Sequence, residues 1–342
     1  MKQLGTAGLA VLLSVFFWGC SSGPREKKWL LKGNAALEEG NVDMAIKCYN
    51  EAIEENNTYA DAFNNRGVAF FEKGDYSLAL NDYNTSLLLQ DSFPDARWNR
   101  ARLLYTIKQY DNAREDLAYL EDNEAYALGT HFLNGLIAVD QQKFKASLVH
   151  FDSALALRPD HYEALVNKAN VLYYRGAYAQ SLDLLAGFKK FTGPEALNVK
   201  ALNFMELANY DSARHYLDIL VEKFPRNAAF LNNRALLEIK SMNLDRAKAD
   251  LDKSFALNED NAWWWRNNAL WMESAGNMAE YENALEKTYA YSEYVKGLET
   301  MIGKWLLQNE MADSACFHLR KARDFNETQG AELYAKYCTS AN

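Results

Sequence analysis

A glycine or an alanine returns at a spacing of 34 residues along almost the whole of this chain. Repeats start at Glu26, Ala60, Pro94, Leu128, Tyr162, Pro194, Ala228, Ala262 and Lys296, and every step is 34 residues except one of 32 that ends at Pro194. The eighth position of the repeats reads Gly33, Gly67, Ala101, Gly135, Ala169, Ala201, Ala235, Ala269 and Gly303. The twentieth reads Ala45, Ala79, Ala113, Ser147, Ser181, Ala213, Ala247, Tyr281 and Ala315, so only Tyr281 is large. The twenty-fourth is always bulky: Tyr49, Tyr83, Leu117, Phe151, Leu185, Leu217, Leu251, Leu285 and Leu319. Nine such repeats over 26–329 argue against two ordinary globular cores. They require an array in which each repeat packs on its neighbours.

The spacing predicts two antiparallel helices per repeat. Positions eight and twenty would lie where the two helices cross, because interaxial distances of about 8–10 Å are set by the contact residues. Position seventeen, mostly aromatic (Tyr76, Tyr110, Phe144, Tyr178, Tyr210), and position twenty-four would fill the space beside the crossing. Position fifteen reads as the turn, with Gly40, Gly74, Gly176 and Gly276 suited to a left-handed helix end. Four of the five prolines fall at repeat boundaries: Pro94 and Pro194 at position one, Pro159 and Pro225 at position thirty-two. Five prolines and 17 glycines are also few for an all-β chain of 342 residues.

This pattern resembles the tetratricopeptide repeat, W-x2-L-G-x2-Y…A-x3-F…P. The resemblance implies an all-α, right-handed superhelical solenoid of about nine helix-turn-helix repeats. Residues 330–342 read as a capping helix in which Leu333, Tyr334 and Tyr337 cover the last repeat. The register weakens where Arg97, His131 and Glu299 occupy position four and Glu238 position eleven. The third, fourth and ninth repeats are therefore expected to be the least regular.

The N-terminus reads as an address. Lys2 precedes an uncharged apolar run from Leu4 to Trp18, too short for a transmembrane helix. Gly19-Cys20-Ser21-Ser22 then resembles the lipobox of bacterial lipoproteins. That resemblance implies a signal peptide over residues 1–19, acylation of Cys20 with fatty chains such as palmitate, and a tether over 20–25. The other reading is an uncleaved N-terminal anchor, and both export the chain. The absence of an aspartate after Cys20 points, by the lipoprotein analogy, to the outer membrane. The lack of an acidic tract points to its periplasmic leaflet, in a Gram-negative and by resemblance Bacteroidota envelope.

The formal net charge of −9 offers no broad footprint for a phosphate backbone, so nucleic acid is not expected as a partner. His131, His150, His161, His215 and His318 form no metal-ligand spacing, and no Walker loop, G-x-S-x-G or G-x-G-x-x-G occurs. Neither an enzyme nor a metal or cofactor is expected. Cys48 reads as a small buried residue. Cys316 and Cys338 lie on helices expected to be neighbours, and exported compartments permit disulfides. The Lys-Tyr-Cys ending also resembles other Bacteroidota repeat lipoproteins. A Cys316–Cys338 disulfide and a pair of free thiols both remain open.

In tetratricopeptide proteins the first helices line a concave face, and positions two, five, nine and twelve point into it. Here that resemblance implies Asn64, Phe71, Trp98, Arg102, Tyr105, Phe132, Asn170, Tyr173, Asn198, Asn232, Trp263 and Arg266 as candidate binding residues, some of which would instead pack on the next repeat. Aromatic residues and arginine are enriched at binding hot spots. The asparagines at position six (Asn65, Asn99, Asn167, Asn233, Asn267) read as structural, bonding neighbouring backbone. The carboxylate clamp of chaperone-binding members is not implied. Its positions hold Leu30, Asn34, Asn65, Asp95 and Asn99, without the cations. In Trp263-Trp264-Trp265, Trp265 reads as core and Trp263 as open to the groove; three adjacent helical residues cannot share one face. The expected function is a non-catalytic scaffold or adaptor that binds a peptide or partner protein on the concave face at the cell envelope. The alternative is a glycan-binding outer-membrane lipoprotein with an aromatic platform.

Overall fold

A computed structural model describes residues 24–187, 193–292 and 294–339. These residues hold nineteen helices and no strand. The signal expected over residues 1–19, Cys20, and the expected 20–25 tether as far as residue 23 lie outside the described residues, and Arg25 at the tether's end opens the first helix. The chain divides into two compact bodies, one ending at Leu120 and one starting at Glu121.

The N-terminal body is three helical hairpins: α1 (Arg25–Glu38) with α2 (Val42–Glu55), α3 (Ala60–Lys73) with α4 (Tyr76–Leu89), and α5 (Pro94–Thr106) with α6 (Tyr110–Leu120). The C-terminal body begins with the hairpins α7 (Glu124–Asp140) and α8 (Phe144–Leu157), α9 (Tyr162–Tyr174) and α10 (Tyr178–Ala186), and α11 (Pro194–Glu206) and α12 (Tyr210–Lys223). It continues with α13 (Ala228–Lys240) and α14 (Leu244–Leu257), α15 (Ala262–Ala275) and α16 (Tyr281–Tyr291), and α17 (Leu298–Gln308) and α18 (Ala312–Asp324). The last helix, α19 (Thr328–Tyr337), packs on α18 and α17. Within each body first helices touch first helices, α1 with α3 and α3 with α5, and likewise α9 with α11 and α13 with α15. The first helices thus line the inner face of each stack. Irregularities fall where the repeat loses its pattern and elsewhere too. Helix α7 starts four residues before Leu128, α17 starts two after Lys296, and α10 has only 9 residues.

Asparagines start many of the helices. Asn41, Asn123, Asn209, Asn227 and Asn261 each accept from a backbone N–H in the first turn, and Asn227 and Asn261 accept from two. Each turn at position fifteen is left-handed, whatever the residue. Gly74 has φ 87°, but Lys108, Gln142, Ala208, Met242 and Glu310 hold φ between 56° and 62° without being glycine. An L side chain in that region costs about 1 kcal/mol or more. Met242 is two-thirds exposed, at 66%, so it repays little of this by packing. Met242→Gly is expected to raise stability by about 0.5 kcal/mol after the extra entropy of glycine in the unfolded chain is subtracted. Urea unfolding of the two proteins measures it, and a loss of stability would show that Met242 packs on something in solution.

The eighth position is small for a reason more specific than helix crossing. A Cβ added to Gly67 would lie 2.7 Å from Tyr83 Cε1, and one added to Gly135 2.5 Å from Phe151 Cε1. Gly33 meets Tyr49 in the same way. The partner of position eight is therefore the ring at position twenty-four of the same repeat. Where position twenty-four is leucine, as in Leu117, Leu185, Leu217, Leu251 and Leu285, position eight is alanine; Gly303 opposite Leu319 departs from this. Tyr281, large at position twenty, is buried in a cluster with Ala262, Ala269 and Met272.

A ladder of ion pairs runs through the stacks. Arg66 donates to Asp82 through Nε and Nη2 at 2.8 Å each and to Asn50 at 2.7 Å. Arg100 does the same with Asp116 (2.7 Å twice) and Asn84 (2.8 Å), and Arg234 with Asp250 (2.7 and 2.9 Å) and Asp218 (3.0 Å). In each case position seven of a first helix binds its own second helix and the second helix of the preceding repeat. Of the polar residues that break the register, His131 packs against the His150 ring with its Nδ1 buried and unbonded among the described residues, and the other three are partnered. Glu238, with no exposed side chain, is held by Arg214, Arg246 and Asn243. Burial alone would raise its pKa, but the Arg214 and Asn243 hydrogen bonds and the Arg246 charge hold it below the usual value. Arg97 pairs with Asp91 and Asp116, and Glu299 with His318 and Lys321.

Candidate binding faces

The inner face of the N-terminal body is built on α1, α3 and α5. An amide ladder crosses it. Asn65 Nδ2 donates to Asn34 Oδ1 at 2.9 Å, Asn64 Nδ2 to Asn65 Oδ1 at 3.0 Å, and Asn99 Nδ2 to Asn64 Oδ1 at 3.0 Å. Of the asparagines at position six, Asn65, Asn99 and Asn233 bond side chains of the preceding repeat, while Asn267 and Asn167 bond backbone as expected. Asn233 likewise donates to Asn198 Oδ1, Asn267 reaches the Asn232 carbonyl, and Asn167 bonds back to Glu163 of its own helix. Asn64 is consequently buried in the ladder and is not a free groove residue. Beside it Phe71, Trp98, Arg102 and Tyr105 are half-buried. The Arg102 guanidinium lies 5.8 Å from the Phe71 ring centroid, and no carboxylate pairs with it among the described residues. Phe71 also packs against Tyr76, and Tyr105 against Tyr110.

The inner face of the C-terminal body is different, because it is largely filled. Tyr173, Asn232 and Arg266 are buried and present no open surface. Phe132 packs on Phe151 and His161. Asn170 and Asn198 are half-buried, Asn198 as the acceptor from Asn233. Trp263 packs on Tyr174, with the Arg266 guanidinium 5.2 Å from its centroid. The most buried of the three tryptophans is Trp264, whose Nε1 donates to the Leu251 carbonyl at 2.7 Å; Trp265, expected as core, is half-buried under Lys287. What fills this face is Tyr294–Lys296, ahead of α17. Lys296 Nζ donates to Tyr178 Oη at 3.0 Å and reaches the Tyr173 carbonyl at 3.5 Å. It sits 3.9 Å from the Tyr173 centroid and 4.7 Å from that of Tyr178. Burial lowers the Lys296 pKa to about 8, Glu206 opposing that shift and Arg266 adding to it. Burial also pushes Tyr178 up to about 12 and Glu327 above the usual carboxylate value.

The description "TPR repeat" matches residues 33–74, and "Tetratricopeptide repeat" matches 74–127, 132–192 and 198–262, more than half of the chain. The chain belongs to the tetratricopeptide repeat family. Among curated proteins none matches it. Among solved structures it is similar to PilF of Pseudomonas aeruginosa, at 20% identity and a TM-score of 0.53 over 59% of this chain and 92% of that one. It is also similar to the Cut9–Hcn1 hetero-tetramer of the APC/C, at 14% identity and a TM-score of 0.53 over 92% of this chain and 76% of that one. At these identities the likeness is one of fold.

Tetratricopeptide arrays are in general non-catalytic scaffolds. Two features of this one escape a reading of the sequence. The Arg–Asp ladder was signalled only by Arg66, Arg100 and Arg234, with Lys168 between them, recurring at position seven. The Tyr174, Tyr178, Tyr294 and Lys296 cluster had no signal, since its two halves, Tyr174 with Tyr178 and Tyr294 with Lys296, lie more than a hundred residues apart. Cys316 and Cys338 are joined by a disulfide with a Cα–Cα distance of 5.5 Å, linking α18 to the end of α19. Cys48 is buried and free.

Proposed function

We propose that this tetratricopeptide protein is a scaffold that holds an extended segment of a partner protein on the inner face of its N-terminal body, tethered to the outer membrane by lipid on Cys20 and facing the periplasm. The observation that carries the reading is Arg102. It is a cation without a carboxylate partner among the described residues of an acidic protein, lying on Phe71 and flanked on the same helix by Trp98 and Tyr105. Arginine and aromatic side chains on a preformed face suit a hot spot, and a rigid face loses little entropy on binding. The partner segment would bring a carboxylate to Arg102 and apolar side chains to the rings. Trp263, the anchor of a glycan-platform reading, is engaged with Tyr174 and Arg266, so that alternative gains no support here.

Affinity capture from cell envelopes with wild type and Trp98→Ala/Arg102→Ala tests the face. The variant is expected to lose at least 10-fold of the captured partner, and unchanged capture would sink this assignment. Cys20→Ser, expected to leave the membrane fraction, tests the anchor separately.

A further inference from the structure

We propose that the inner face of the C-terminal body is a second binding site, one that takes an extended partner segment bearing an aromatic residue two positions before a lysine, and that the chain's own Tyr294–Lys296 occupies it in the free protein. The inference extends to this body the reading that the inner faces hold extended segments.

The resident segment makes the contacts a bound peptide would make. It is not helical, and it reaches residues 118 and 123 positions earlier in the chain. Its ammonium lies over two phenol rings and donates to a hydroxyl and a carbonyl, a desolvated cation–π arrangement. Its aromatic residue fills a second subsite. The Tyr294 ring lies 6.1 Å from Tyr174, 6.2 Å from Phe144 and 4.7 Å from Phe325. Glu206 and Glu327 favour the charged form of Lys296, against burial and the Arg266 and Lys240 charges, so the rings and hydrogen bonds, more than net charge, hold the ammonium.

The fit is also incomplete. Among the described residues, Tyr294 Oη and Arg266 Nε are buried with no hydrogen-bond partner, and Arg266 is only 9% exposed. A polar atom buried unpaired is costly. The groups facing the ammonium are Tyr173 on α9, Tyr178 on α10, Glu206 on α11, Lys240 on α13, Arg266 on α15 and Glu327 ahead of α19. Lys240 and Arg266 repel it. Lys296 is therefore held by rings and hydrogen bonds, without a direct salt bridge among the described residues, beside polar atoms that a partner backbone can satisfy. These are the properties of an occupant that a better-matched segment displaces.

The test uses the full chain and a labelled hexapeptide of residues 294–299, followed by fluorescence anisotropy. Lys296→Ala empties the cage and is expected to bind the peptide at least 10-fold more tightly than wild type does. Binding should disappear when the peptide's lysine is replaced by glutamine or when Tyr173→Ala is added to the protein. Lys296→Met, which keeps the stem, repeats the measurement if the alanine variant loses its fold. Equal affinity for wild type and variant, or no binding to a variant that retains cooperative unfolding, would overturn the proposal. So would unfolding of both variants, because a segment the fold requires is not a displaceable ligand. Trp98 and Arg102 are untouched here, so the outcome is separable from that of envelope capture.

Discussion

Asp116→Ala is expected to destabilise the N-terminal body by about 3 kcal/mol. The Asp116 side chain is 2% exposed and accepts from Arg100 twice at 2.7 Å and from Arg97 at 3.4 Å. Removing the carboxylate leaves the Arg100 guanidinium with no carboxylate partner among the described residues, whereas Arg97 keeps Asp91 at 2.6 Å. Breaking a buried pair by deleting one partner costs about 3–5 kcal/mol, and the lower end applies because Arg100 is 23% exposed and keeps some water. Arg100 also donates to Asn84, so the loss loosens α5 from both α6 and α4. Replacing the whole pair with apolar residues, Arg100→Met/Asp116→Leu, is expected to recover most of the stability, since no charge is then left unpaired. Urea unfolding followed by circular dichroism resolves the two cases. A cost below about 1 kcal/mol for Asp116→Ala would show that water reaches the pair and that the ladder is ornamental to stability.

That ladder marks the boundary of what periodicity discloses. The helix pairs, the left-handed turns and the small residues at position eight were legible, because each is a property of one residue type at one register position. The turn at Lys108 or Met242 was legible only by its place in the register, since neither residue is a usual left-handed one. The ladder is a relation between positions seven, twenty-three and twenty-five. An arginine on an amphipathic helix looks like a solvated charge until the pairing partner sixteen residues away is known to be buried. Lys296 failed for another reason. The register made it the first residue of a helix, but the helix begins at Leu298, which frees Lys296 to enter the inner face. Which ring it meets depends on how the C-terminal stack curves, and a repeat of 34 carries no information on that. The disulfide partners stood at neighbouring helices in the register, but proximity alone did not decide between bond and thiols.

The relation between positions eight and twenty-four is the one most open to a direct test. In Gly67→Ala the new Cβ would lie 2.7 and 2.9 Å from Cε1 and Cδ1 of Tyr83, whose ring is 2% exposed and has no free space to turn into. Overpacking of this kind costs about 1–3 kcal/mol, and an alanine that relieved no strain would instead gain from its helix propensity over glycine, by about 1 kcal/mol. The sign of the change alone therefore discriminates. Tyr83→Leu on its own leaves a void beside Gly67 and is also destabilising. The double variant Gly67→Ala/Tyr83→Leu reproduces the combination that Ala101 and Leu117 already use in the next repeat, where both are fully buried. It is expected to be more stable than the sum of the single changes predicts by more than about 1 kcal/mol, which is a coupling typical of residues in contact. Chemical denaturation of the four proteins closes the cycle. If the two substitutions simply add, the ring does not dictate the glycine, and the pairing of Gly33 with Tyr49 and Gly135 with Phe151 would need a cause in the helix axes themselves.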